Sequence, residues 1–302
     1  MNTAIRERLQ TQLRALESLP ALPVTLGPLR ESLDRPAEEI DVERVVQLVS
    51  YDKSIAAQLM RMTNSPLFGR KQMVGTVREA VLALGFWRVR DVVFSCQFPK
   101  IMSGWTKSVD HVSFWRHSLG CALVSQKLAR LLRSRSAEKA YLAGLLHDLG
   151  ILVNATLFSD QFASTLQRAK EQQTPLHEVE KEVLGLTHAE SGRILAEVWN
   201  LPEDVATVME FHHDVGAAPT AKDLVALVHL SDLLCRLREM GYGYYEALSV
   251  DFAGSPAWGV LAQHCPHLDR FDLTRFTFEL DEYAEEVLTM VSNILGSNTN
   301  AA

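Results

Sequence analysis

Apolar residues recur along this chain at helical spacing, and the two-residue alternation of a half-buried strand is hard to find. Residues 41–49 place Val42, Val45, Val46 and Val49 on one stripe, with Asp41 positioned to cap the start. Residues 51–54 open a second helix whose Ile55, Leu59 and Met62 share a face. Asn64-Ser65-Pro66 stops it, because proline disfavours helix in the residue before it. Residues 76–84 predict a third helix ended by Gly85, and residues 89–94 a fourth. Short helices with short connections read as an all-helical lobe. Ser103-Gly104 marks a lobe boundary near Gly104. The helical pattern resumes near Val112 and runs to about Met240, where Gly241-Tyr242-Gly243-Tyr244-Tyr245 interrupts it. Residues 274–295 form an acidic amphipathic helix (Leu280, Tyr283, Val287, Met290, Ile294) expected to pack back on the body, before a frayed end at 297–302. The expected fold class is all-α: an N-terminal helical lobe over 15–104, a helical core over 105–240, and a C-terminal helical extension over 241–296.

Composition narrows the classes. The 302 residues are 47% hydrophobic and 22% charged, enough to bury a sizeable core in one large domain or two intimate ones. A net charge of −7 leaves no basic field for nucleic acid or anionic lipid. The short basic run Arg130-Leu131-Leu132-Arg133-Ser134-Arg135 reads as a solvated helix end. The first fifteen residues lack the apolar core of a signal peptide, and no apolar run approaches the ~20 residues of a membrane span. The expected location is cytoplasmic. Cys96, Cys121, Cys235 and Cys265 are far apart and never form Cys-x-x-Cys, so they read as reduced core or near-surface thiols without a metal or disulfide role.

The candidate chemistry is a series of imidazoles and carboxylates: His117, then His147-Asp148, His188, His212-His213 and Asp232. These groups are ligands for Zn, Fe, Mn and Ni alike. Taken singly, each has a plain alternative. His117 lies on a helix rich in small residues, where a histidine is more often a hydrogen-bonded core group. His147-Asp148 closes an apolar helix, residues 137–146, whose end Gly150 supplies; consecutive helical residues point about 100° apart and converge only where geometry relaxes. A buried carboxylate there needs compensation, by a cation or by a cap or ion pair. Thr187-x-x-Glu190 is a capping box that puts His188 in a first turn, a position usually facing solvent. His212-His213 ends a helix that begins near Pro202, where a protonated imidazole would also suit the helix dipole. Asp214 stays in the turn. Asp232, within an otherwise apolar helix, is four residues from Arg236 and could simply pair with it.

In order, this series resembles the HD-domain superfamily of metal-dependent phosphohydrolases. The rest of the chain resembles one branch, the HDOD family ("HD-related output domain") of bacterial signalling proteins. The likeness is carried by Leu19-Pro20-Ala21-Leu22-Pro23, Ser50-Tyr51-Asp52-Lys53-Ser54, Leu59 to Ser65, Thr76 to Gly85, Trp115-Arg116-His117 and Gly144 to Gly150, covering roughly residues 15–290. The resemblance implies an N-terminal helical lobe packed on an HD-type bundle and a place in signal transduction. It also implies that many members have lost the metal ligands and act as protein-interaction modules, whereas this chain keeps them.

The same resemblance implies a first ion held by His117, His147, Asp148 and Asp232 and a second by His188, His212 and His213. Asp148 bridges the two ions, about 3.5–4 Å apart. Two departures stand out. The cyclic-dinucleotide phosphodiesterase branch follows its His-Asp step with x-Gly-Lys, whose Lys contacts phosphate; here Ile151 occupies that place. Its Gly-Tyr-Pro signature after the His pair is missing, and Gly241-Tyr242-Gly243 matches in letters but not in context, so it carries no weight. Arg116 and Arg193 are candidates for phosphate by sequence adjacency only. The expectation is therefore a signalling output domain with a metal site, a signalling protein as partner and a nucleotide as candidate ligand. The competing class is a working metal-dependent phosphohydrolase or phosphodiesterase on a nucleotide or cyclic (di)nucleotide.

Overall fold

The structure is a computed structural model, and it describes residues 7, 9–13, 41–64, 73–102, 108–238, 240–242, 254–265 and 267–295. Among these residues there is helix and no strand. They divide into two compact units, one within Met1–Leu19 and Ser103–Val287, the other within Pro20–Met102 and Leu288–Ala302. The motif at 19–23, the boundary near Gly104 and the end at 297–302 lie outside the described residues.

The smaller unit contains α1 (Val42–Tyr51), α2 (Lys53–Thr63), α3 (Val77–Leu84) and α4 (Phe86–Met102). Asp41 caps α1 by accepting from the Glu43 and Arg44 amides, and Thr76 caps α3 through the Glu79 amide. Val45, Val49, Ile55, Leu59 and Met62 are buried as their stripes predict, whereas Val42 in the first turn is exposed and Val46 is half-buried. The fourth helix is longer than its pattern predicts. Residues 89–98 are buried all round, so no polar face marks its limits, and Pro99 falls near its last turn.

The larger unit is built on α5 (His111–Leu131), α6 (Ala137–Leu146), α7 (Leu149–Leu157), α8 (Ser159–Gln172), α9 (Leu176–Val183), α10 (His188–Val198), α11 (Glu203–Phe211), α12 (Lys222–Leu237), α13 (Pro256–His264) and α14 (Leu273–Leu295) as far as Val287, the rest of α14 belonging to the smaller unit. Helix α5 packs on α6 and α12, α10 packs on α7 and α11, and α12 also meets α13. The N-terminal residues Leu9 and Leu13 are buried, and Gln10 donates to Glu197. Leu280, Val287 and Ile294 of α14 are buried as its pattern predicts; the side chains of Tyr283 and Met290 lie outside the described residues.

Two glycines fix the closest approaches. A Cβ on Gly144 would sit 2.7 Å from the Cys121 carbonyl oxygen, so α6 lies directly against α5. A Cβ on Gly150 would sit 1.8 Å from the His188 carbonyl oxygen and 2.7 Å from the Gly192 nitrogen. Contrary to the sequence expectation, Gly150 does not end a helix. The break falls at His147-Asp148, and Gly150 lies in the first turn of α7, where only a hydrogen lets α10 pass. By length and hydropathy, the stretch Ala137–Leu157 is apolar enough to cross a membrane, contrary to the sequence reading; 89% of its most apolar window is buried inside the protein, which assigns it to the core.

Candidate metal centre

The break between α6 and α7 places His147 and Asp148 at the middle of the larger unit, with 0% and 1% exposure. Asp148 occupies the N-cap position of α7 but makes no capping hydrogen bond. Its oxygens face two different groups instead. Oδ1 lies 3.1 Å from His212 Nε2 and 3.3 Å from His188 Nε2, while Oδ2 lies 3.1 Å from His147 Nε2 and 3.8 Å from His117 Nε2. Asp232 Oδ1 is 3.1 Å from His117 Nε2. His213 Nε2 meets His188 Nε2 at 2.8 Å. The structure thus brings all seven sequence candidates together.

Each central imidazole is turned the same way. His117 Nδ1 donates to the Met240 carbonyl, His147 Nδ1 to Gly144, and His212 Nδ1 to Val208 and Met209. His188 Nδ1 donates to buried Glu180 at 2.6 Å. With the proton held at Nδ1, the Nε2 atoms of His117, His147 and His212 present their lone pairs to the interior, the tautomer that metal-binding histidines require. His147 Nε2, His212 Nε2 and Asp148 Oδ1 are buried without a hydrogen-bond partner. Lone pairs facing a carboxylate at about 3 Å in a buried space are costly without a cation or protons between them. The ligand-type atoms fall into two groups, His117, Cys121, His147 and Asp232, and Asp148, His188, His212 and His213; within each, all lie within 4.8 Å of one another. The residues fit a bound divalent metal.

Electrostatics follow from this crowding. Burial opposes the charged form of Asp148, but His147, His188 and His212 outweigh it and hold its carboxyl well below the ordinary value. Burial likewise opposes ionised Asp232, and Arg236 with His117 reverses that. Arg236 donates to both oxygens of Asp232, at 2.7 and 2.6 Å, so the plain ion pair coexists with the contact to His117. Burial disfavours a charged His188, yet Glu180 and Asp148 raise it to about 10. For His212, burial dominates and lowers its pKa.

His188 is 2% exposed and does not face solvent. Its capping box forms as expected, with Thr187 accepting from the Glu190 amide, and the Glu180 carboxylate turns the ring inward. Asp214 accepts from the Ala217 amide and stays in its turn. Arg193 commits its guanidinium to Glu197, Glu203 and Glu210, and Arg116 donates to the Gly241 carbonyl.

Several residues that matter escaped the sequence reading. Cys121, read as a thiol without metal role, stands 3.4 Å from His117 Nε2; the signal was its i, i+4 relation to His117. Tyr242, given no weight, donates to Asp148 Oδ2 at 2.6 Å and stacks against Phe114. Glu180 accepts from Asn154, whose own oxygen accepts from Ser191. His177 stacks on His213, and His229 donates to the His212 carbonyl. All four cysteines are free and buried.

Fold and cluster together define an all-helical protein with a buried His/Asp centre of metal-binding type. The family profile of the HDOD domain matches residues 19–215, and this chain belongs to the HDOD family. Among solved structures, it is similar to an HDOD domain protein of unknown function from Geobacter sulfurreducens. That match has 25% identity and a TM-score of 0.84, covering 97% of this chain and 99% of the other. A candidate phosphohydrolase from Shewanella amazonensis SB2B shares the fold at 22% identity and a TM-score of 0.71, over 95% and 98% of the two chains. An uncharacterized protein of Treponema pallidum (strain Nichols) is 24% identical over 223 residues, 73% of this chain; the match spans 43% of that relative's length.

Proposed function

We propose that this chain is a bacterial signalling output domain of HDOD type that keeps a dinuclear HD-type metal centre. His117, His147, Asp148 and Asp232 hold one ion, His188, His212 and His213 the other, with Asp148 shared. The observation that carries the reading is that His147 Nε2, His212 Nε2 and Asp148 Oδ1 are buried and unpartnered, while the Nδ1 atoms of His117, His147, His188 and His212 are anchored outward. A divalent ion there would polarise a bound oxygen or acidify a bound water. Tyr242 and Arg116 shape the approach, Tyr242 by holding Asp148 and Arg116 by holding the Gly241 carbonyl. The position where the phosphodiesterase branch carries a phosphate-contacting Lys is Ile151, at 1% exposure. That favours output through a protein partner over turnover.

A second reading, hydrolysis of a nucleotide phosphoester, is favoured by a cavity of about 310 Å³ bordering Tyr242. Its lining includes Ser108, Asp110, Ile151, Leu166 and Lys170. Elemental analysis of protein purified without added metal or chelator, beside His147→Ala and His212→Ala, tests the centre. The expected result is close to two ions per chain, reduced by each substitution; an empty wild type refutes it. Metal-replete protein that cleaves nucleotides, cyclic nucleotides, cyclic dinucleotides or generic phosphoesters would replace the output reading with the enzymatic one.

A further inference from the structure

We propose that Cys121 is a further ligand beside His117, His147 and Asp232, in addition to the shared Asp148, and that this half of the centre takes a sulfur-binding divalent transition ion such as zinc or iron(II). The proposal rests on the metal centre argued above and deepens it, by naming the class of ion.

His117 and Cys121 stand one turn apart on the same buried face of α5, at 0% exposure each. Cys121 Sγ lies 3.4 Å from His117 Nε2, and it lies within 4.8 Å of the ligand-type atoms of His147 and Asp232. A tetrahedral ion with zinc-like bond lengths separates a nitrogen and a sulfur ligand by about 3.6 Å, and a nitrogen and an oxygen by about 3.4 Å. The observed nitrogen–sulfur and nitrogen–oxygen separations, 3.4 and 3.1 Å, are close to those edges. An independent observation points to the same place: His147 Nε2, fully buried and without a partner, belongs to this group of four.

Chemistry then selects the ion. A set of two imidazoles, the Asp232 carboxylate, the shared Asp148 and one thiol suits zinc, iron(II) and cobalt(II), and does not suit magnesium or calcium, which take oxygen. The second group offers no sulfur, only Asp148 and three imidazoles. Ligation uses the thiolate, so the S–H proton leaves to solvent as the ion enters. The competing account is a packed core thiol that donates weakly to His117 and touches the Cys235 thiol.

Cobalt(II) loading of the full chain separates the two accounts. Elemental analysis counts bound cobalt, and the near-ultraviolet sulfur-to-cobalt charge-transfer band reports thiolate ligation. The expected result is a band in the wild type and in Cys235→Ser, lost in Cys121→Ser. Cys121→Ala serves as a second variant if the serine form does not fold, with the same loss expected. Stoichiometric cobalt with no sulfur band would overturn the role of Cys121 and leave the metal centre standing. A band that survives in Cys121→Ser and disappears in Cys235→Ser would overturn it too, assigning the sulfur to Cys235. Absence of cobalt uptake would overturn both.

Discussion

The two halves of the central cluster solve the same problem with opposite charges. Around His117, Cys121, His147 and Asp232, the imidazoles are anchored by backbone carbonyls and the carboxylate is met by Arg236. Around Asp148, His188, His212 and His213, one imidazole is anchored by a second buried carboxylate, Glu180, itself fixed by Asn154 and Ser191. The first half is neutralised by a cation from its own helix. The second sets two carboxylates, Glu180 and Asp148, against His188. A carboxylate behind a ligating histidine raises the basicity of the ring, whereas an arginine on a ligating carboxylate competes for its lone pairs. For the proposed pair of ions, the comparison predicts tighter binding in the second half, unless sulfur compensates the first.

The largest test strikes the scaffold common to both halves. Gly150→Ala forces a methyl into the His188 carbonyl, and overpacking with no flexible neighbour to yield should cost about 3 kcal/mol in denaturant unfolding. Wild-type stability and metal content in this variant would contradict the close approach of α7 and α10. Next, Glu180→Gln keeps the shape and removes the charge behind His188. The second ion should then bind about 10–100-fold more weakly while the first is unchanged. Equal weakening of both ions would erase the distinction between the halves.

Smaller effects sharpen it. Tyr242→Phe deletes the hydroxyl that donates to Asp148, with an expected loss of about 1 kcal/mol in thermal unfolding and retained metal content. Loss of an ion in that variant would make the tyrosine a ligand in its own right. Smallest is Arg193→Gln, which breaks exposed and partly exposed pairs with Glu197 and Glu203. It should cost about 0.5 kcal/mol and leave both ions in place. A changed ion content there would extend the centre to a residue whose guanidinium pairs with Glu197, Glu203 and Glu210.

Much of this molecule is legible along the chain. Asp41 announces its helix because capping is a local hydrogen bond, completed within three residues. The seven imidazoles and carboxylates could be named in order, and Ile151 marked where a cation is missing, because residue type is chemistry before it is structure. The extent of α4 was not legible, because a helix buried on every side has no polar face to define its period.

What sequence could not determine is which neighbours each candidate meets. Spacing left Asp232 open between Arg236 and a metal, and packing of α12 against α5 gives it Arg236 and His117 at once. Spacing left His188 in a first turn, and Glu180 on α9 turns it inward. Tyr242 reaches Asp148 across 94 residues, and Cys121 joins His147 because Gly144 lets α6 lie against α5. Caps, periods and ligand types are properties of a few consecutive residues and are written in the sequence. Convergence of lone pairs from helices far apart in the chain depends on how those helices pack, and the tertiary structure alone decides it.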